Sequence, residues 1–297
     1  MIQVMAFEAF GFGRKAANES SSREIHTEKS MLQAADKGIN LLSSNFEIEG
    51  ENNIKEAVRL RTEDPNRRFM IASSHISNLD APAAIKAFGN DFDLLISASS
   101  QNFTGANAFL FRIAGKDNFT PLTIKGPKGK PSGVFNPEDF APIVTQSAEG
   151  KTPWIAAHTF TESGEMQEAK IGSIYLAQKT GSYVIPAALE MRGGGSVSME
   201  GVYEMTKGAL NKGEAIYHIG VPYKPEPIDV SIIDKVMRAR EQGESVSSED
   251  RKLFSEVLGA LRSQAEELGT TIAQLLPEDM RGVYGNEDEE FEYKHTA

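Results

Sequence analysis

The chain has 297 residues, 40% hydrophobic and 25% charged, with a formal net charge of −11. That balance is ordinary for a soluble globular protein and sets nucleic acid aside as the main partner. The absence of cysteine excludes disulfides and thiolate metal sites, and no apolar stretch approaches the ~18 residues that suggest a membrane span.

Residues 1–13 form an apolar end without a basic lead, carrying Glu8, too short and weakly apolar for a signal peptide. They suit a membrane-surface contact, docking on the body, or a partly ordered tail. A polar, Ser-rich linker follows. Met31, Leu32, Ala35, Ile39 and Leu42 then recur at helical spacing. Phe46-Glu47-Ile48 alternates like a short strand, and 51–61 suits a second helix. Strands are expected over 69–73, 93–98, 119–124, 153–157, 183–188 and 215–221, with helices over 82–89, 105–113, 137–148 and 169–180. This alternation predicts an α/β fold: a mainly parallel or mixed central sheet covered by helices on both faces. Helical additions flank it at both ends.

After Pro227 the pattern turns helical. Helices are expected over 232–242, from a capping box at Ser247 to Gly269, and over 271–276. The chain divides into an N-terminal tail and helix (1–43), an α/β core (44–228), C-terminal helices (229–285) and an acidic, disordered tail (286–297).

The most informative stretch runs from Ser73 to Pro82. His75 follows an apolar run that reads as a buried strand, and Asp80 stands at the mouth of the next helix, placed to cap it. Five residues apart on one helix the two side chains would diverge by about 140°. On a strand they would face opposite sides. They meet only if the segment between them turns, and Ser77-Asn78 supplies turn formers. A carboxylate on one imidazole nitrogen would fix the tautomer and leave the other as a base. An N-cap and an unrelated strand-end histidine fit the same residues.

A second strand, Trp154 to Ala157, runs into His158-Thr159-Phe160-Thr161-Glu162-Ser163-Gly164-Glu165. If parallel to the first, it ends at the same edge. Glu162 could accept hydrogen bonds from substrate hydroxyls, and the turn amides around Gly164 could hold an anion. A plain strand-to-helix loop fits as well, and His158 reads best as a satisfied packing histidine. Lys125, Lys128 and Lys130 form a basic loop that suits a phosphate or carboxylate, or plain solvation. Pro186, within a predicted strand, suggests an edge or bulge. The Gly208–Gly213 spacing lacks the Lys-Ser/Thr of a phosphate loop. Gly11-Phe12-Gly13, with Ala16, lies outside the βα alternation.

Taken in order, these stretches resemble the glycerol-phosphate and lysophosphatidate acyltransferases, the PlsC-like family. Its His-x4-Asp motif corresponds to His75 and Asp80. Its Gly-x-Glu-Asn lead-in resembles Gly50-Glu51-Asn52, and its Phe-Pro-Glu-Gly-Thr-Arg motif aligns with Phe160 to Glu165. Lys170-Ile171-Gly172, Val184-Ile185-Pro186 and Leu275 to Tyr284 are similar to its later blocks. The match spans about 44–284. Thr161, Ser163 and Glu165 stand where the family has Pro, Gly and a basic residue. The block Gly-x-x-Phe-Ile-x-Arg corresponds either to Gly105–Arg112 or to Gly115–Lys125.

The resemblance implies acyl transfer from a coenzyme A or acyl-carrier-protein thioester to a hydroxyl of glycerol-3-phosphate or a lysophospholipid. His75 would be the general base and Asp80 its partner. Glu162, Gly164, Arg112, Lys125 and Lys170 would bind the acceptor. No metal and no cofactor are implied; the thioester is a substrate. The same fold with a neutral or amine acceptor, or a non-catalytic lipid-binding relative, are the alternatives. The expected location is cytoplasmic, with peripheral contact at the inner face of the membrane through residues 1–13.

Overall fold

The computed structural model describes residues 27–77, 79–99, 119–122, 137–159, 164–193 and 212–285. Its described elements are, in order, α1 (Lys29–Leu42), β1 (Ser43–Glu49), α2 (Glu51–Glu63), β2 (Phe69–Ser73), α3 (Asp80–Phe88), β3 (Leu94–Ser99) and β4 (Phe119–Leu122). A 3-10 turn (Pro137–Phe140) then leads into α4 (Ala141–Ala148), followed by β5 (Thr152–Ala156), α5 (Ile171–Thr180), β6 (Tyr183–Arg192), β7 (Gly213–Ile219), α6 (Ser231–Glu241) and α7 (Ser248–Ala273). The expected helix over 105–113, the basic loop at 125–130, residues 1–13 and the acidic tail lie outside the described residues.

The fold is α/β. One sheet of seven strands has the order β1-β7-β6-β2-β5-β3-β4. β6, β2, β5, β3 and β4 are mutually parallel, β7 is antiparallel to β6, and β1 runs parallel to β7. β2 lies inside the parallel block and all five of its residues are buried. Its alternation divides the core: Phe69 and Ile71 pack with α1, α2 and α3 on one face. Met70 and Ala72 pack with α4, α5, α6 and α7 on the other. A short strand apolar on both sides is what such a doubly covered position requires.

Gly50 links β1 to α2 at φ +88°, and a Cβ there would lie 2.2 Å from the Ile219 carbonyl oxygen. Only glycine meets both conditions. The neighbouring Asn53 donates its side-chain N–H to that same carbonyl at 2.7 Å, which fixes α2 against the end of β7.

Three expectations are corrected. Gly269 does not end a helix: α7 runs unbroken from Ser248 to Ala273. A Cβ at Gly269 would lie 2.1 Å from the Tyr284 hydroxyl, so the glycine permits a close approach. The Ser247 cap is present, its hydroxyl accepting from the Asp250 N–H at 3.0 Å. Pro186 is not at an edge, because β6 pairs with β2 on one side and β7 on the other, though the register on the β7 side slips by one residue beside it, from Ala187 opposite Ile219 to Val184 opposite Tyr223, as at a bulge. Its missing N–H would point to the β7 side, where β7 has ended at Ile219 and only the Val184–Tyr223 bridge continues. The Pro186 carbonyl is still used, accepting from the Gly220 N–H at 2.8 Å. Lastly, the N-cap of α3 is Leu79; Asp80 is the first helical residue and sends its carboxylate elsewhere.

Candidate active site

β2 and β5 are parallel neighbours with Ser73 opposite Ala156, so the segments that follow them emerge at one edge of the sheet. After Ser73 the chain turns toward α3. The Asp80 N–H donates to the Ser77 carbonyl at 3.2 Å, and the Leu79 N–H to the Ser77 hydroxyl at 3.1 Å. This turn reverses the five-residue separation of the sequence. His75 Nδ1 lies 3.1 Å from Asp80 Oδ2, and the same oxygen accepts from the Ser77 N–H at 3.0 Å.

The pair is asymmetric. The Asp80 side chain is 1% exposed and that of His75 32%. Burial pushes the Asp80 carboxyl above its usual range, against the opposing pull of the His75 ring and the Ser77 and Ile76 N–H groups. A carboxylate in so dry a place interacts more strongly with a neighbouring positive charge than it would in water. Its place in the first turn of α3 adds the favourable end of the helix dipole. With the Nδ1 proton directed at Asp80, Nε2 is the basic nitrogen of His75.

The turn is tied on both flanks. The Ser74 N–H donates to the Ala187 carbonyl at 3.0 Å, and the Ser74 hydroxyl accepts from the Leu189 N–H at 3.1 Å. Both bonds lead to β6. On the other flank the His75 backbone N–H donates to His158 Nε2 at 3.1 Å, while His158 Nδ1 lies 2.8 Å from the Thr159 carbonyl. His158 is buried, as a packing histidine would be, yet it also holds the backbone of His75. The signal for that contact is in the sequence: each histidine lies two residues beyond a strand end, and those ends pair in register.

The remaining predicted residues divide. Lys170 stands at the head of α5, half-exposed, with Nζ 3.6 Å from Glu168. Its N–H donates to the Ala157 carbonyl at 2.7 Å, and its charge acts on His158. So one predicted cation belongs to the His75 edge. Gly164 holds a turn at φ +77°. Glu165 is exposed and lines an open surface cavity of about 650 Å³ with Gln167, Glu278 and Asp279. The C-terminal segment fastens this loop: the Met166 N–H donates to the Met280 carbonyl and the Ala169 N–H to the Tyr284 hydroxyl. Glu162, Arg112 and Lys125 lie outside the described residues. Among the described residues no set of three His, Asp or Glu groups converges as metal ligands, and no helix is long and apolar enough to cross a membrane.

No protein-family model and no curated protein matches the sequence. Among solved structures, the chain is similar to the 1-acyl-sn-glycerophosphate (LPA) acyltransferase PlsC from Thermotoga maritima. The identity is 16% and the TM-score 0.46, over 90% of this chain and 87% of that one. An aromatic-amino-acid aminotransferase from Burkholderia pseudomallei, covalently bound to pyridoxal phosphate, is far less similar. It has 12% identity and a TM-score of 0.21, over 91% of this chain and 68% of that one. Likenesses so remote leave the reaction to be read from the residues themselves.

Proposed function

We propose that the protein is an acyltransferase that moves a fatty acyl group from a coenzyme A or acyl-carrier-protein thioester to a hydroxyl of glycerol-3-phosphate or a lysophospholipid. The observation that supports this most is the His75–Asp80 pair at the strand edge, a buried carboxylate behind a part-exposed imidazole. The acceptor oxygen attacks the thioester carbonyl as its proton passes to His75 Nε2. Asp80 balances the imidazolium. The tetrahedral species collapses, the carbon–sulfur bond breaks, and the departing thiolate takes the proton back. The products are an ester and a free thiol, with no acyl-enzyme. Positioned base catalysis of this kind contributes about a hundred- to ten-thousandfold; holding donor and acceptor together supplies much of the rest.

Lys170 at the head of α5 supports an anionic acceptor. A second reading, a neutral hydroxyl or an amine, draws on Glu165, which sits with Glu278 and Asp279 where the resembled motif has a basic residue. At 4 Å and an effective dielectric of about 20, a like charge costs on the order of 4 kcal/mol. An acceptor panel decides between them, with acylated products read by mass spectrometry. Acylation of glycerol-3-phosphate or lysophosphatidate is expected. Acylation of neutral alcohols or amines alone would transfer the assignment to the second reading.

A further inference from the structure

His158 is 3% exposed and spends both ring nitrogens on backbone groups that can bond in only one sense. The Thr159 carbonyl can only accept, so Nδ1 must carry the proton. The His75 N–H can only donate, so Nε2 must be bare. The tautomer therefore follows from the partners. A protonated ring would have to give up the bond to His75, since its Nε2 would become a donor.

We propose that His158 is a positioning residue: an imidazole whose bare Nε2 anchors the backbone of His75 to the end of β5 and so fixes the base relative to Asp80. The anchor complements the Ser74 bonds to β6, leaving the turn held between two strands. Its value for catalysis rests on reading His75 as the base; the anchor itself does not. The groups that act on the His158 ring are His75, from the turn after β2, and Lys170, from the head of α5. Burial drives the imidazole down to about 4, opposed by the Thr159 carbonyl and reinforced by those two neighbours. His158 thus stays neutral near pH 7 and keeps Nε2 as the acceptor for the His75 N–H.

The wild-type protein offers the first test. Nitrogen-15 NMR of labelled histidine near pH 7 should show His158 protonated at Nδ1 and bare at Nε2; an Nε2–H tautomer would overturn the proposal. Two variants offer the second. His158→Gln presents an amide oxygen near the Nε2 position, whereas His158→Phe fills the space with no acceptor. Hydrogen exchange of the His75 amide should quicken about tenfold in the Phe variant and stay within about threefold of wild type in the Gln variant, the scale of one net hydrogen bond. kcat should fall in parallel in the Phe variant, with both KM values nearly unchanged, and the pH profile of the Gln variant should match that of wild type. A folded Phe variant with unchanged exchange would overturn the anchor, as would a Gln variant as impaired as Phe. Should Phe not fold, the tautomer and the Gln variant decide. If no acyl transfer is found at all, the proposed reaction fails while tautomer and exchange still test the anchor.

Discussion

Two histidine–carboxylate clusters among the described residues are built to opposite ends. His218 Nε2 lies 2.8 Å from a Glu190 carboxylate oxygen and Nδ1 3.1 Å from one of Glu49, so carboxylates occupy both sides of the ring. Arg192 also bonds Glu190. Burial alone would raise the Glu190 carboxyl, but the Arg192 and His218 bonds win and hold it below the usual range. All of these residues lie on strands β1, β6 and β7, and the ring is only 12% exposed. His75 directs one nitrogen to Asp80, is 32% exposed, and stands where a strand gives way to a helix. There burial outweighs the partners, and the carboxyl is raised. A histidine saturated with carboxylates is a clasp. His75, facing the dry Asp80 carboxylate, is in the proposed reaction the ring that takes a proton, with Asp80 balancing the charge.

Alanine at the two rings should separate these roles most sharply. His75→Ala should lower acyl transfer about a thousandfold with thermal unfolding little changed. His218→Ala should leave turnover intact and cost about 1–2 kcal/mol of stability, because Glu190 loses a partner while buried. Kinetics and unfolding on the same samples test both; lost turnover in a folded His218→Ala would erase the distinction.

The carboxylates come next. Asp80→Asn should lower activity roughly a hundredfold, since an amide can serve the Ser77 N–H but cannot balance the imidazolium. At neutral pH it should not lower stability, because it removes a charge that burial disfavours. Glu190→Gln should have the opposite profile: full activity and about 1 kcal/mol less stability. The linkage has opposite signs at the two sites. The raised Asp80 lowers stability as pH rises through its titration; the lowered Glu190 contributes stability above its usual value of 4.5 that is lost on acidification. Denaturant unfolding of both variants across pH 3 to 8, roughly the span of these titrations, would show it.

His158 adds a pH effect on the site itself. Its lowered value means that the native state binds fewer protons. Its contribution is complete above the ordinary 6.5 and lost as pH falls toward about 4. Wild type should thus lose more stability over that interval than His158→Gln. The smallest effect is expected at Lys170, which is half-exposed and screened. Lys170→Ala should raise the acceptor KM about fivefold, with the donor KM unmoved, in line with one partly solvated charge.

The sheet was readable because its strands are short, apolar and separated by helical periods; β2 is buried at every position, as its composition demands. Glycine and proline misled where tertiary contacts overrode local rules. Gly269 sits inside the last turns of α7 because Tyr284 presses against it, and Pro186 enters an interior strand because the neighbouring strand ends and its register slips beside it. Neither fact has a local signature. The meeting of His75 and Asp80 was legible as a condition on the turn between them. The anchoring by His158 needed the β2–β5 register, a pairing of residues more than eighty positions apart.

The most direct measurement of the central claim is thiol release from a long-chain acyl thioester, with and without glycerol-3-phosphate or lysophosphatidate, alongside mass spectrometry of the acceptor. The account predicts that wild-type protein releases thiol in step with acylated acceptor, and that folded His75→Ala forms almost none of either. Undiminished transfer by that variant, or thiol release with no acylated acceptor of any kind, would contradict it.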